Sequence, residues 1–174
     1  MQLLGEEGIT GITMKNIASK QNISEPALYK QYKNKNEIIF QMVKEYEVYD
    51  KQIQETVTQS SLRGKEAVMF YIERYAELYE NYYQLTTITL SMDLYFYNLE
   101  TKHIKNQIRC TRSVYLKNLI EEYLVADEVG NKLDADTIST CIEGIILKEI
   151  YDWRYEGRTY SLKEKIMSKV NNLL

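Results

Sequence analysis

Apolar residues recur three and four positions apart along most of the chain, the spacing of amphipathic helices, and no segment shows the strict alternation of a half-buried strand. Leu3 to Glu7 reads as the end of a helix stopped by Gly8, with a loop through Gly11. Thr13 is placed to cap a short helix whose apolar face is Met14, Ile17 and Ala18, and Asn22-Ile23-Ser24 breaks it. Ser24 caps a second short helix that tolerates Pro26 in its first turn and turns Leu28 and Tyr32 inward. Asn34 and Glu37 form a capping-box pattern that opens a long helix through Ile38, Ile39, Met42 and Val43 to about Glu55.

A polar connector, Thr56 to Gly64, precedes a further run of helical periodicity. Val68, Tyr71, Ile72, Tyr75, Tyr79 and Tyr82 share one face, and further helices are predicted over Leu85–Tyr97, Glu100–Val125 and Asp134 or Asp136 to Tyr155. The loop from Ala126 to Asp134 separates the last two, and Gly157 stops the second of them. Ser161 with Glu164 heads a final helix carrying Leu162, Ile166, Val170 and Leu173. The pattern predicts an all-α fold: a helix-turn-helix domain over 1–46 and a helical domain over 47–174.

Composition narrows the chemistry. With 44% hydrophobic residues over 174 positions the chain can bury a proper core, and a single proline beside seven glycines favours long uninterrupted helices. It lacks both an apolar run of membrane-spanning length and a basic-then-apolar leader, which predicts a cytoplasmic protein without a membrane partner. Cys110 and Cys141 have no CxxC spacing and lie in apolar helical patterns, so buried free thiols are expected. His103 is the sole histidine, and neither a metal cluster, a phosphate loop nor a nucleophile–base pair is spelled out. The expectation is a protein without cofactor or metal that is not an enzyme.

Charge is distributed unevenly. The chain has a formal net charge of -3, yet Lys15, Lys20, Lys30, Lys33 and Lys35 face only Glu25 between positions 15 and 35, a local surplus of four positive charges. Helix, three-residue turn, helix is the arrangement that sets a second helix into the DNA major groove, and lysines, hydroxyls and helix N-termini are the groups that hold phosphates. The charge alone fits a solvated lysine face equally well.

The spacing in "EEGITGITMKNIASKQNISEPALYKQYKNKNEII", residues 6–39, adds to this. Its Gly8, Thr13, Ile17-Ala18, Ile23-Ser24, Leu28-Tyr29, Tyr32 and Lys35 fall in the order of the tetracycline-repressor (TetR) family of bacterial transcription regulators, which this stretch resembles. The resemblance implies that Thr13, Tyr29 and Lys35 touch phosphates and that the helix from Glu25 to Gln31 faces base edges. Lys15, Ser24, Glu25, Ala27, Lys30 and Lys33 complete the expected double-stranded DNA interface. Two positions depart from the family pattern: Ala27 stands where a small hydroxyl residue is usual, and Glu25 where a basic one is often found. Where members carry a full first helix, only Met1 to Glu7 precede Gly8, so either residues lie upstream of Met1 or the head is more weakly packed.

Beyond position 56 the chain is tyrosine-rich, with sixteen Tyr against three Phe overall. A tyrosine offers an apolar ring and a polar rim, suited to core, interface or ligand pocket. The resemblance implies an effector cavity between helices of this region, and Tyr71, Tyr75, Tyr79, Met92, Tyr95, Phe96 and Tyr115 are the candidates for a small apolar or aromatic ligand. Asp93 is either a pocket carboxylate or a solvated one. The helix with Ile138, Cys141, Ile142, Ile145, Ile146, Leu147, Ile150, Tyr151 and Trp153 has little polar face, and a second subunit is the simplest cover. Ile142, Gly144, Ile145, Ile146, Trp153, Ile166 and Val170 are the expected homodimer residues. The function expected is a homodimeric repressor released from its operator by a small molecule; the alternative is a ligand- or partner-binding helical protein whose helix-turn-helix no longer reads DNA.

Overall fold

Helices account for every regular element among the described residues, which in this computed structural model are 1–91, 99–126 and 133–174. They are α1 Gln2–Glu7, α2 Met14–Lys20, α3 Glu25–Gln31, α4 Lys35–Gln59, α5 Gly64–Asn81, α6 Gln84–Leu90, α7 Leu99–Ala126, α8 Ala135–Tyr155 and α9 Leu162–Leu173. None of them is long and apolar enough to cross a membrane. The chain divides into two compact units, one of residues 1–49 and 83–108, the other of 50–82 and 109–174, so α4 and α7 each contribute to both.

In the first unit α2 and α3 close on a small core of Met14, Ala18 and Leu28, flanked by Ile17, Tyr32 and Ile38. Helix α1 packs on α6, and its Gly5 makes the approach possible. A Cβ at Gly5 would stand 2.7 Å from Cγ of Gln84 and 2.8 Å from Cε2 of Tyr83, closer than side-chain carbons tolerate. Tyr46 of α4 and Thr89 of α6 share a hydroxyl–hydroxyl hydrogen bond of 2.8 Å. Lys105 of α7 is buried and donates to the Ser91 carbonyl.

In the second unit α9 packs against α5 and α8. Its buried face is Leu162, Ile166 and Val170, and α5 and α8 contribute Val68, Ile72, Ile138, Ile142, Ile150 and Trp153 to the core. The head of α9 is capped twice. Ser161 Oγ accepts from the Glu164 N–H at 3.2 Å, and the Glu80 carboxylate of α5 accepts from the Lys163 N–H at 2.7 Å.

Three expectations change. Helix α4 runs past Glu55 to Gln59, which shortens the connector to Ser60–Arg63. The Thr56 and Thr58 hydroxyls return to the Gln52 and Gln54 carbonyls at 2.7 and 2.8 Å, and buried Val57 extends the inner stripe, so these polar residues are accommodated within the helix. Cys110 and Cys141 are exposed, because the inward stripes of α7 and α8 run through Ile108 and Leu116 and through Ile138 and Ile142. The helix expected over Leu85–Tyr97 is seen as Gln84–Leu90; residues 92–98 lie outside the described residues.

Burial holds the Lys105 ammonium down at about 8, below the ordinary lysine value. Between that pH and the ordinary value the unfolded chain keeps a proton that the folded chain has released, so stability rises with pH across this window. Below it both forms are protonated and the cost of burying the charge is constant. Urea unfolding at pH 7 and at pH 9.5 should therefore show the wild type gaining on Lys105→Met at the higher pH. A stability difference equal at the two values would show that Lys105 keeps its proton in the fold.

Candidate functional site

The helix-turn-helix is fixed by local chemistry. Thr13 Oγ1 accepts from the Asn16 N–H at 3.0 Å and Ser24 Oγ from the Ala27 N–H at 3.3 Å, so each short helix begins on a hydroxyl cap. Neither bond consumes the hydroxyl proton, which stays available to an oxygen acceptor. The turn is set by Asn22, whose φ of 53° is left-handed, while the Ile23 N–H reaches back to the Ala18 carbonyl at 3.0 Å. That bond closes a Schellman-type end on α2, and Asn is among the few non-glycine residues that adopt the conformation readily.

Once Leu28 and Tyr32 turn inward, their neighbours must turn out. Tyr29 is 52% exposed although Leu28 beside it is 3% exposed. Lys15, Ser24, Glu25, Lys30, Lys33 and Lys35 are exposed as well, and Thr13 and Ala27 are half-buried. Lys20, the fifth lysine of the cluster, is engaged by Glu6 at 3.2 Å. All nine expected DNA-contact residues thus lie in or beside α2, α3 and the start of α4, seven of them exposed.

The second unit holds a different constellation. Tyr71, Tyr75 and Tyr79 of α5 are buried, and Tyr115 of α7 is half-buried. The Tyr71 ring lies 4.9 Å from that of Tyr75, edge-on, and 5.1 Å from that of Tyr115. The Tyr115 hydroxyl stands 2.8 Å from that of Thr58 and 3.1 Å from the Gln54 carbonyl, to which Thr58 already donates. Met92, Tyr95 and Phe96 lie outside the described residues, as does Asp93.

At the centre are two charges. Asp50 of α4 accepts from Nε of Arg112 and from the Tyr75 hydroxyl, and Arg112 Nη1 donates to the Tyr79 hydroxyl at 2.6 Å. The guanidinium carbon stands 4.3 Å from the centroid of the Tyr75 ring, within cation–π range. Burial raises the Tyr71 and Tyr75 phenols above the ordinary tyrosine range, with the Arg112 charge opposing the shift in both. These hydroxyls therefore act as neutral donors and acceptors at physiological pH. An open groove of about 360 Å³ lies beside the cluster, lined by Gln54, Cys110, Thr111, Val114, Tyr115 and Asn118.

The expected dimer residues separate into two groups. Ile142, Trp153, Ile166 and Val170 are buried in the protomer's own core and have no surface to offer a partner. They lie on α8 and α9, which pack against each other, α9 also packing on α5. Gly144 is exposed, with nothing within 4 Å of the position of an added Cβ, and Ile145 and Ile146 are partly exposed. The outer face of α8 also carries Leu147, Tyr151 and Tyr155, exposed by 45%, 59% and 84%.

Residues 1–42 match the family model described as bacterial regulatory proteins, tetR family. None of the curated proteins matches the sequence. Solved structures match almost the whole chain in fold. PfmR, a TetR family transcriptional regulator from Thermus thermophilus, aligns with a TM-score of 0.81 at 18% identity, covering 99% of this chain and 93% of its own. The fatty acid degradation regulator FadR from Bacillus halodurans gives 0.79 at 16%, covering 99% and 89%. The transcriptional regulator FadR from Bacillus subtilis, solved with stearoyl-CoA, gives 0.77 at 21%, covering 99% and 92%.

The side chains of Asp50 and Arg112 are only 3% and 18% exposed, so removing one partner strands the other. Asp50→Ala should cost about 3 kcal/mol in urea unfolding, whereas Asp50→Leu with Arg112→Met should recover most of that loss. A single substitution with no measurable cost would show that solvent, and not this pair, carries the charges.

Proposed function

We propose that this chain, whose residues 1–42 match the family model of bacterial regulatory proteins, tetR family, is a homodimeric transcriptional repressor that a small molecule releases from DNA. The observation that carries the DNA-binding half is that Lys15, Tyr29, Lys30, Lys33 and Lys35 are all exposed on or beside α2, α3 and the start of α4, within an otherwise acidic chain. Lysines on such a face neutralise phosphates and release counterions, while the net negative charge elsewhere limits unspecific adhesion. In this reading Thr13, Tyr29 and Lys35 hold phosphates. Ser24, Glu25, Ala27 and Lys30 stand at base edges, Glu25 being able to accept from a cytosine amino group. The protein acts where its operator lies, in the cytoplasm.

The effector has an apolar or aromatic body and binds among the tyrosines of the second unit, with Tyr71, Tyr75, Tyr79 and Tyr115 around it. That FadR from Bacillus subtilis was solved with stearoyl-CoA supports an effector with a large apolar part. Two copies of the chain associate through the outer face of α8, with Gly144, Leu147, Tyr151 and Tyr155 at the contact. The packing of Ile142 inside the protomer leaves this face as the apolar surface of the helix. By linkage, the effector weakens DNA binding only to the extent that it prefers the state that does not bind.

A salt series of gel shifts separates the roles of two head residues. Lys35→Ala should weaken binding and reduce the slope of log affinity against log salt by roughly 2 for a dimer, close to one phosphate per subunit. Tyr29→Phe should lower affinity about five- to tenfold at every salt concentration and leave the slope unchanged, since it removes a neutral donor. Wild-type binding that does not respond to salt would favour the partner-binding alternative.

For the assembly, Tyr151→Glu places a charge on the outer face of α8 and should convert the dimer to a monomer in sedimentation at micromolar concentration. A wild-type chain already monomeric under these conditions would refute the proposed interface.

A further inference from the structure

Asp50 and Arg112 occupy positions where their helices otherwise turn apolar side chains inward. Ile39, Val43, Tyr46, Asp50 and Val57 follow the inner stripe of α4, and Ile108, Arg112, Leu116 and Ile120 that of α7. An apolar pair at 50 and 112 would hold the helices together nearly as well, because desolvating two ions offsets most of their attraction. Stability does not account for the pair. The side chain of Asp50 is closed in at 3% exposure, while that of Arg112 keeps 18%, although its Nη2 is itself buried.

From Arg112 a line of rings leads outward. The guanidinium lies on Tyr75, Tyr75 touches Tyr71, and Tyr71 touches Tyr115, which is a wall of the open groove. The groove has a volume of about 360 Å³ and lies open to solvent. Val114 and the Tyr115 ring give it an apolar wall, and the charge reached through the rings is a cation with a planar fork of donors.

We propose that this site takes an apolar monocarboxylate, whose body lies along Tyr115 and Tyr71 and whose carboxylate bonds to Arg112 in exchange with Asp50. The proposal deepens, and rests on, the reading of the second unit as the effector-binding unit. Asp50 is then an internal stand-in for the ligand's head group: it holds Arg112 in the unliganded chain and competes with what binds. An amide of the same shape lacks the charge that a guanidinium pairs with, and an amine is repelled. Since Asp50 belongs to α4, the exchange changes what holds that helix to Tyr75 and Arg112 within the second unit.

Equilibrium dialysis of decanoate and 2-naphthoate against the full chain, without DNA, tests this, with decanamide and 2-naphthamide as neutral counterparts. At least one carboxylate should bind saturably, and its amide about tenfold more weakly or worse. Asp50→Asn, which keeps the shape but removes the competing charge, should bind the carboxylate about tenfold more tightly; Arg112→Gln should lose the preference for carboxylate over amide. Thermal melts establish that each variant is folded, and Glu149→Gln, which removes the second unit's other buried carboxylate and keeps Asp50 and Arg112, serves as a second variant that should retain the preference. Equal binding of acid and amide, unchanged or weaker binding by folded Asp50→Asn, or saturable binding of neither carboxylate would overturn the proposal. The two levels fail separately. Carboxylate binding that never alters operator affinity would end the repressor reading alone, and operator release by a strictly neutral ligand would end this one alone.

Discussion

A seven-residue helix cannot stand alone in water, because nucleation costs more than so few hydrogen bonds return. Both α2 and α3 are of that length, so whatever the head presents to a partner depends on the contact among Met14, Ala18 and Leu28 that holds them. That contact determines the surface as well as the core. With Leu28 and Tyr32 turned in, the 3.6-residue period places Tyr29 and Lys30 outward, and the left-handed Asn22 fixes the angle at which α3 leaves α2. The lysine cluster in an acidic chain is therefore an oriented feature, built on a small apolar contact and two hydroxyl caps.

The second unit inverts the arrangement by placing charge inside. Among its described residues are two buried acids with basic partners, and they differ in kind. Glu149 is 2% exposed, but its partner Lys169 keeps 48% of its side chain in water, so that pair sits at the rim of the bundle and its cation stays solvated. Asp50 and Arg112 are enclosed together among Tyr71, Tyr75 and Tyr79. A rim pair closes a surface, whereas an enclosed pair offers a neutral interior a place where charge can be exchanged. This difference connects the tyrosine-rich composition with the proposed selectivity for an acid.

Much of this was legible in the residues. Thr13, Ser24, Asp134 and Ser161 each cap the helix that their spacing announces, because capping is settled within a single turn. Asp50 and Arg112 escaped because charged residues are ordinarily assigned to solvent, although both stand on inner stripes whose period was visible. Ile142, Trp153, Ile166 and Val170, expected at a homodimer contact, are buried in the protomer's own core for another reason. Helix α8 has apolar residues on both faces, and periodicity does not say which face its own chain covers: Ile142 went to α9 and the core, Tyr151 was left outside. Cys110 and Cys141 follow the same rule, one residue type placed by the register of its helix and not by its apolarity.

The claim that the oriented head reads DNA is tested most directly by selecting duplexes from a random pool with the unmodified chain and sequencing what it retains. Two symmetry-related α3 helices must enter successive major grooves on one side of the duplex. The account predicts an enriched inverted repeat whose half-site centres lie roughly one helical turn, about 34 to 36 Å, apart or a multiple of it. A pool without enrichment, or one that yields a sequence lacking two-fold symmetry, would contradict it.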